Sequence, residues 1–181
     1  MTATIIRLRV TMLEDVGRPL RDAAGQPVAR EIEIAAAQSL ERLAKAILRA
    51  FGFDCDHAFG FYSGRTRRTL LSAAPRWELF ADMGGDGPRA GSVRRTAIAE
   101  AFPDATTRRT FLFDYGDEWL FDVAALETGA AAPRCRYPRV VASTGQAPPQ
   151  YPPDDEQDED AERVGINPRT GERIVLKPKP R

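Results

Sequence analysis

The sequence predicts an α+β fold: a mostly antiparallel sheet crossed by one main helix, in the order β-β-α-β-(β)-short α-β-β, β-grasp-like in outline. Four stretches carry that expectation. Residues 5–12 and 31–34 alternate apolar and polar side chains, as half-buried strands do. Residues 40–51 repeat apolar side chains at helical spacing on one face. Residues 111–123, FLFDYGDEWLFDV, read as two aromatic-rich strands about a turn.

In the first strand Ile6, Leu8, Val10 and Met12 alternate with Ile5, Arg7, Arg9 and Thr11, so one face is wet. Asp15–Pro27, with Gly17, Pro19, Gly25 and Pro27, is a loop. Glu31 to Ile34 alternates again and predicts a second strand antiparallel to the first. Ser39 is placed to cap a helix whose apolar face is Leu40, Leu43, Ala44, Ile47, Leu48 and Phe51, and Gly52 supplies its stop. The other helix face carries Arg42, Lys45 and Arg49, a basic stripe that reads as a solvated face or as a phosphate contact.

His57, Phe59 and Phe61 alternate with Ala58, Gly60 and Tyr62 as a third strand, followed by a basic turn over Ser63–Arg68. Trp77–Phe80 is a short strand or a helical turn, and periodicity does not choose between them. Asp82–Ser92 reads as a flexible loop, and Thr96–Phe102 as one or two helical turns closed by Pro103. Within residues 111–123, Gly116-Asp117 predicts a two-residue type II′ turn. That register sets Asp114 opposite Trp119 and Phe113 opposite Leu120. Phe111, Phe113, Tyr115 and Leu120 then share one face, and Leu112, Trp119, Phe121 and Val123 the other. The last strand ends near Glu127, ahead of Gly129 and Pro133.

These elements fit a single globular domain over residues 1–142. A Pro-rich then acidic linker is expected over 143–162, and a basic tail over 163–181, for which a short hairpin is one open form. The 181 residues balance 26 basic against 26 acidic groups. That neutrality hides an acidic block at Asp154–Glu162 followed by a basic one. Cys55 and Cys135 are too few for a disulfide framework, which points to reduced thiols in a cytosolic protein. Neither a signal peptide nor a membrane-spanning run is visible.

Two stretches, LAKAILRAFGFDCDHAFGF over Leu43–Phe61 and FLFDYGDEWLFDV over Phe111–Val123, resemble the helix-plus-strand and terminal hairpin of the plasmid pRiA4b ORF-3-like family. The resemblance spans roughly Ile5–Val141, and TAIAEAF sits where that family has a brief helix before the hairpin. It implies a fold carried by plasmids and insertion elements, without a known reaction. This chain departs from the family pattern: Phe53 stands where a Trp is usual after AFG, and Phe59 and Phe121 stand where the pattern has His.

His57 is the single histidine, and no motif supplies it with a nucleophile, so it reads as a strand-end residue beside the helix terminus. Cys55, His57 and Cys135, with Asp54 or Asp56, lack the paired spacing of a zinc site, and no metal or cofactor is expected. Gly84-Gly85-Asp86-Gly87 lacks the Lys and Ser/Thr of a phosphate loop. Asp114, Asp117 and Glu118 gather at the hairpin tip, where a carboxylate beside Trp119 makes a surface for a basic or amide-bearing partner. The main functional expectation is therefore a non-catalytic binding module contacting its partner through Asp114, Asp117, Trp119, Phe121 and His57.

The tail offers a second reading. GINPRTGERIVL is similar to the DNA-bending arm of the HU and integration host factor family, which implies Pro168 as a minor-groove wedge with Arg169, Arg173, Lys177 and Lys179 on the backbone. A nucleic-acid-binding accessory protein would add Arg65, Arg67 and Arg68 and the helix stripe. A metal-dependent enzyme is the third class, disfavoured by the single histidine.

Overall fold

The computed structural model of the chain describes residues 3–83, 90–151, 163–166 and 173–176. The middle of the expected Asp82–Ser92 loop, the acidic block, and Pro168, Arg169, Lys177 and Lys179 lie outside these residues. The chain falls into two compact units, Met1–Pro148 and Pro149–Arg181.

Alternation in the first strand becomes β1, Thr4–Asp15, with Ile6, Leu8, Val10 and Met12 buried and Arg9 exposed. Ile5 departs from its expected wet face and is buried. A two-residue strand, β2 (Arg18–Pro19), folds back on β1. β3 (Ala29–Ala35) runs antiparallel to β1, pairing Leu8 with Ile32 and Ile6 with Ile34.

Helix α1 (Leu40–Phe51) is capped as its sequence dictates: the Ser39 side chain accepts from the Arg42 amide, and Gly52 takes the left-handed conformation at φ 80°. Two amides of the first turn find partners across the fold, Leu40 N donating to Thr96 O and Glu41 N to Val93 O. Leu40, Leu43, Ile47, Leu48 and Phe51 are buried against the sheet, each burial worth about 1.5–3 kcal/mol.

After the helix come β4 (Phe59–Tyr62), β5 (Arg76–Glu78), a 3-10 turn (Ala81–Met83), β6 (Gly91–Ser92) and the one-turn α2 (Ile98–Ala101). Then follow β7 (Arg108–Phe113), β8 (Trp119–Ala130) and β9 (Arg139–Thr144). In the second unit β10 (Arg163–Ile166) pairs antiparallel with β11 (Arg173–Leu176).

The first unit holds a nine-stranded sheet in the order β6-β5-β4-β7-β8-β1-β3-β9, with β2 on β1. All its pairings are antiparallel except β5 with β6. The expected α+β layout, β-grasp-like and crossed by one main helix, is thereby corrected. The protein is mostly a mixed β-sheet, and the α-helices among the described residues are 12 and 4 residues long. Local pattern concealed the extra strands. β2 and β6 have two residues each, and β9 is exposed along most of its length, so neither kind shows apolar alternation. β9 also runs past the boundary expected at residue 142.

The second sheet face is closed by the segment after β4. There Leu70 joins Leu13, Tyr62, Leu112 and Leu120 in a smaller apolar cluster. Gly64 permits this close approach: a Cβ on it would lie 2.2 Å from the Thr69 carbonyl oxygen, and its own carbonyl accepts from Thr110 Oγ1 at 3.0 Å. Asp122, buried on the same face, is held by Arg65 at 2.8 Å and by Arg108.

Candidate functional site

β7 and β8 form the expected hairpin, but one residue out of the expected register. Phe113 faces Trp119, Leu112 faces Leu120 and Phe111 faces Phe121, so the connection is Asp114–Glu118 and the two-residue type II′ turn does not form. The Asp114 carboxylate builds the longer loop: its Oδ1 accepts from the Gly116 amide at 2.8 Å, while Glu118 N donates to Asp114 O at 2.7 Å. This register gathers Phe111, Phe113, Trp119, Phe121 and Val123 on the main core face and leaves Leu112 and Leu120 to the second face. Burial of the aromatics decides it, because a one-residue slip would send half of them to the wrong side.

The predicted contact residues therefore part company. Phe121 is fully buried, 5.0 Å from the ring of Phe51, and belongs to the core rather than to a contact surface. Trp119 is half-buried, its ring edge-on to Phe53 at 4.7 Å, and its Nε1 is shielded without a hydrogen-bond partner. Asp117 is exposed. Of the tail residues, Arg173 lies on β11.

His57 and Asp114 do come together, because Asp114 N donates to Ala58 O where the start of β4 lies beside the end of β7. His57 Nδ1 is 2.9 Å from Asp56 Oδ1, and Nε2 is 3.6 Å from Asp114 Oδ2. Asp56 as the nearer partner was not evident in the sequence beyond its adjacency to His57. The Asp56 contact, reinforced by the charges of Asp114 and Asp117, holds the imidazole above its ordinary pKa of 6.5. A raised histidine favours the folded state below its ordinary value, and that contribution is lost as pH climbs through the raised midpoint. Following the His57 ring protons by NMR, we expect a midpoint above 6.5 that falls in Asp56→Asn; an unchanged midpoint in that variant would refute the assignment.

A second feature lies on the other side of α1. The stripe Arg42, Lys45 and Arg49, with Ala46 and Ala50 between, forms one wall of a cleft of ≈ 470 Å³. Residues 137–140 form the facing wall, and the fully buried Ile32 lies at the base. Lys45 is paired with Glu41 at 3.1 Å, and the Arg139 guanidinium with Glu33 at 2.7 Å. Among the described residues no ion pair engages Arg42 or Arg49.

The sequence profile of the plasmid pRiA4b ORF-3-like protein family matches residues 19–152. The chain belongs to that family. Its fold is similar to the crystal structure of MM3350, a protein of unknown function from Methanosarcina mazei Go1, with a TM-score of 0.65 and 17% identity over 83% of this chain and 75% of that one. No curated protein matches it significantly. In this pRiA4b ORF-3-like protein, Phe59 and Phe121 are core residues. They pack on either side of Phe111, at 5.9 and 5.6 Å between ring centroids. Among the described residues no group of three or more His, Cys, Asp or Glu is arranged to hold a metal ion, and Cys55 and Cys135 are free thiols. No helix among them is long and apolar enough to cross a membrane.

Proposed function

We propose that this pRiA4b ORF-3-like protein is a non-catalytic binding module whose contact surface is the acidic end of the β7–β8 hairpin. One observation carries the reading: Asp56 and Asp114, from separate chain segments, flank His57, with exposed Asp117 on the same loop as Asp114. Half-buried Trp119 and the part-exposed ring of Tyr115 supply aromatic area at that end, the usual anchor of a protein contact. The partner chemistry this surface fits is a basic, amide-bearing polypeptide, drawn in by the carboxylates and gripped by the aromatic rings.

The test uses the indole N–H signals of the two tryptophans, since Trp77 is buried away from the hairpin end and the half-buried Trp119 ring stands at it. Adding a short Lys/Arg-rich peptide should shift the Trp119 signal and leave that of Trp77 in place. The doubly reversed variant Asp56→Lys with Asp117→Lys should abolish the shift. Equal binding by that variant would end the proposal.

A further inference from the structure

Independently of the hairpin surface, we infer that the cleft between α1 and the β9 edge is a binding site for a small amphiphilic anion, an acidic head group on an apolar body. Charge comes from the helix wall. Arg42 and Arg49 lie seven residues apart, about 10 Å along the axis. No carboxylate among the described residues forms an ion pair with either. Lys45 between them pairs with Glu41, which Arg94 also approaches at 3.8 Å, so the wall keeps Arg42 and Arg49 without an ion-pair partner among the described residues.

The rest of the cleft is apolar. Ala46 and Ala50 keep the helix wall low, Ile32 closes the base, and Pro138 and Val140 stand opposite. Val140 is 46% exposed, unusual for a valine beside a concavity, and an apolar body lying against it would remove that surface from water. At ≈ 470 Å³ the cleft is far larger than an inorganic anion and within the range that encloses drug-sized ligands. A nucleic-acid strand fits less well. Tyr137, the aromatic side chain of the lining, already has the Arg139 guanidinium over its ring at 5.5 Å, so it is no free plate for base stacking.

Anilinonaphthalene sulfonate, an anion on an apolar body, is the probe. The full chain should bind it saturably, with fluorescence enhancement and NMR shifts centred on residues 42–50 and 137–140. Arg42→Glu with Arg49→Glu should weaken binding at least about tenfold, and so should Ala46→Leu, which fills the wall without touching charge. Should Ala46→Leu fail to fold by circular dichroism, Val140→Ser replaces it, removing the apolar wall at an exposed site. Inorganic phosphate at matched ionic strength should not displace the probe. Affinity unchanged in both kinds of variant overturns the proposal. So does loss in the charge variant alone with displacement by a single-stranded oligonucleotide, which would make the stripe a phosphodiester contact.

Discussion

Phe121→Ala is expected to lower the stability of the first unit by about 3–5 kcal/mol, the usual cost of deleting a large aromatic side chain from a closed core. The ring has no solvent exposure and is surrounded by Phe51 at 5.0 Å, Phe111 at 5.6 Å and Phe53 at 6.3 Å. These neighbours come from α1, β7 and the turn after α1, three elements that cannot all collapse into the space left behind. Against a typical domain stability of about 5–15 kcal/mol, that is a large share. Trp119→Ala, two residues earlier and half-buried, should cost clearly less. Urea denaturation of both variants measures the difference. A Phe121→Ala loss below that of Trp119→Ala would contradict the core assignment.

Arg30→Ala is expected to cost about 2–3 kcal/mol, and Arg30→Lys to recover less than half of it. One guanidinium joins three elements here. Its Nε donates to Ala50 O at 3.0 Å in the last turn of α1, and its Nη1 to Ala29 O at 2.7 Å and Thr144 O at 2.8 Å. The same group lies 4.8 Å from the ring of Phe51. Lysine carries the charge but not the planar fork, so it can serve one of these carbonyls and not the set. Amide hydrogen exchange should locate the damage in β9 and the end of α1. Unchanged protection there, with stability lost elsewhere, would refute this role.

Legibility in the sequence followed locality. Helix α1 was readable from end to end because its cap, apolar face and stop all lie within residues 39–52. β1 and β3 were readable from alternation. The hairpin was legible as a hairpin, yet its register follows from which aromatics the core buries, with the longer loop held by the Asp114 carboxylate, and Gly116-Asp117 masked that. Phe121 consequently looked like a surface partner of Trp119 when it is core. β9 left no pattern because residues 139–144 have few buried side chains; pairing with β3, more than a hundred residues earlier, is what makes them a strand. For the same reason only half of the cleft was legible. The basic stripe stood out on the helix, whereas its facing wall is supplied by that distant edge.

The position of β1 between β3 and β8 governs how the chain assembles as it is made. At about 5–20 residues per second, translation keeps the first strand waiting about 5–20 s for residues 119–130, its second partner. The centre of the sheet thus closes late, with the edge strand β9 still to be added after it, and the folding rate is set by distant pairings rather than by the early helix.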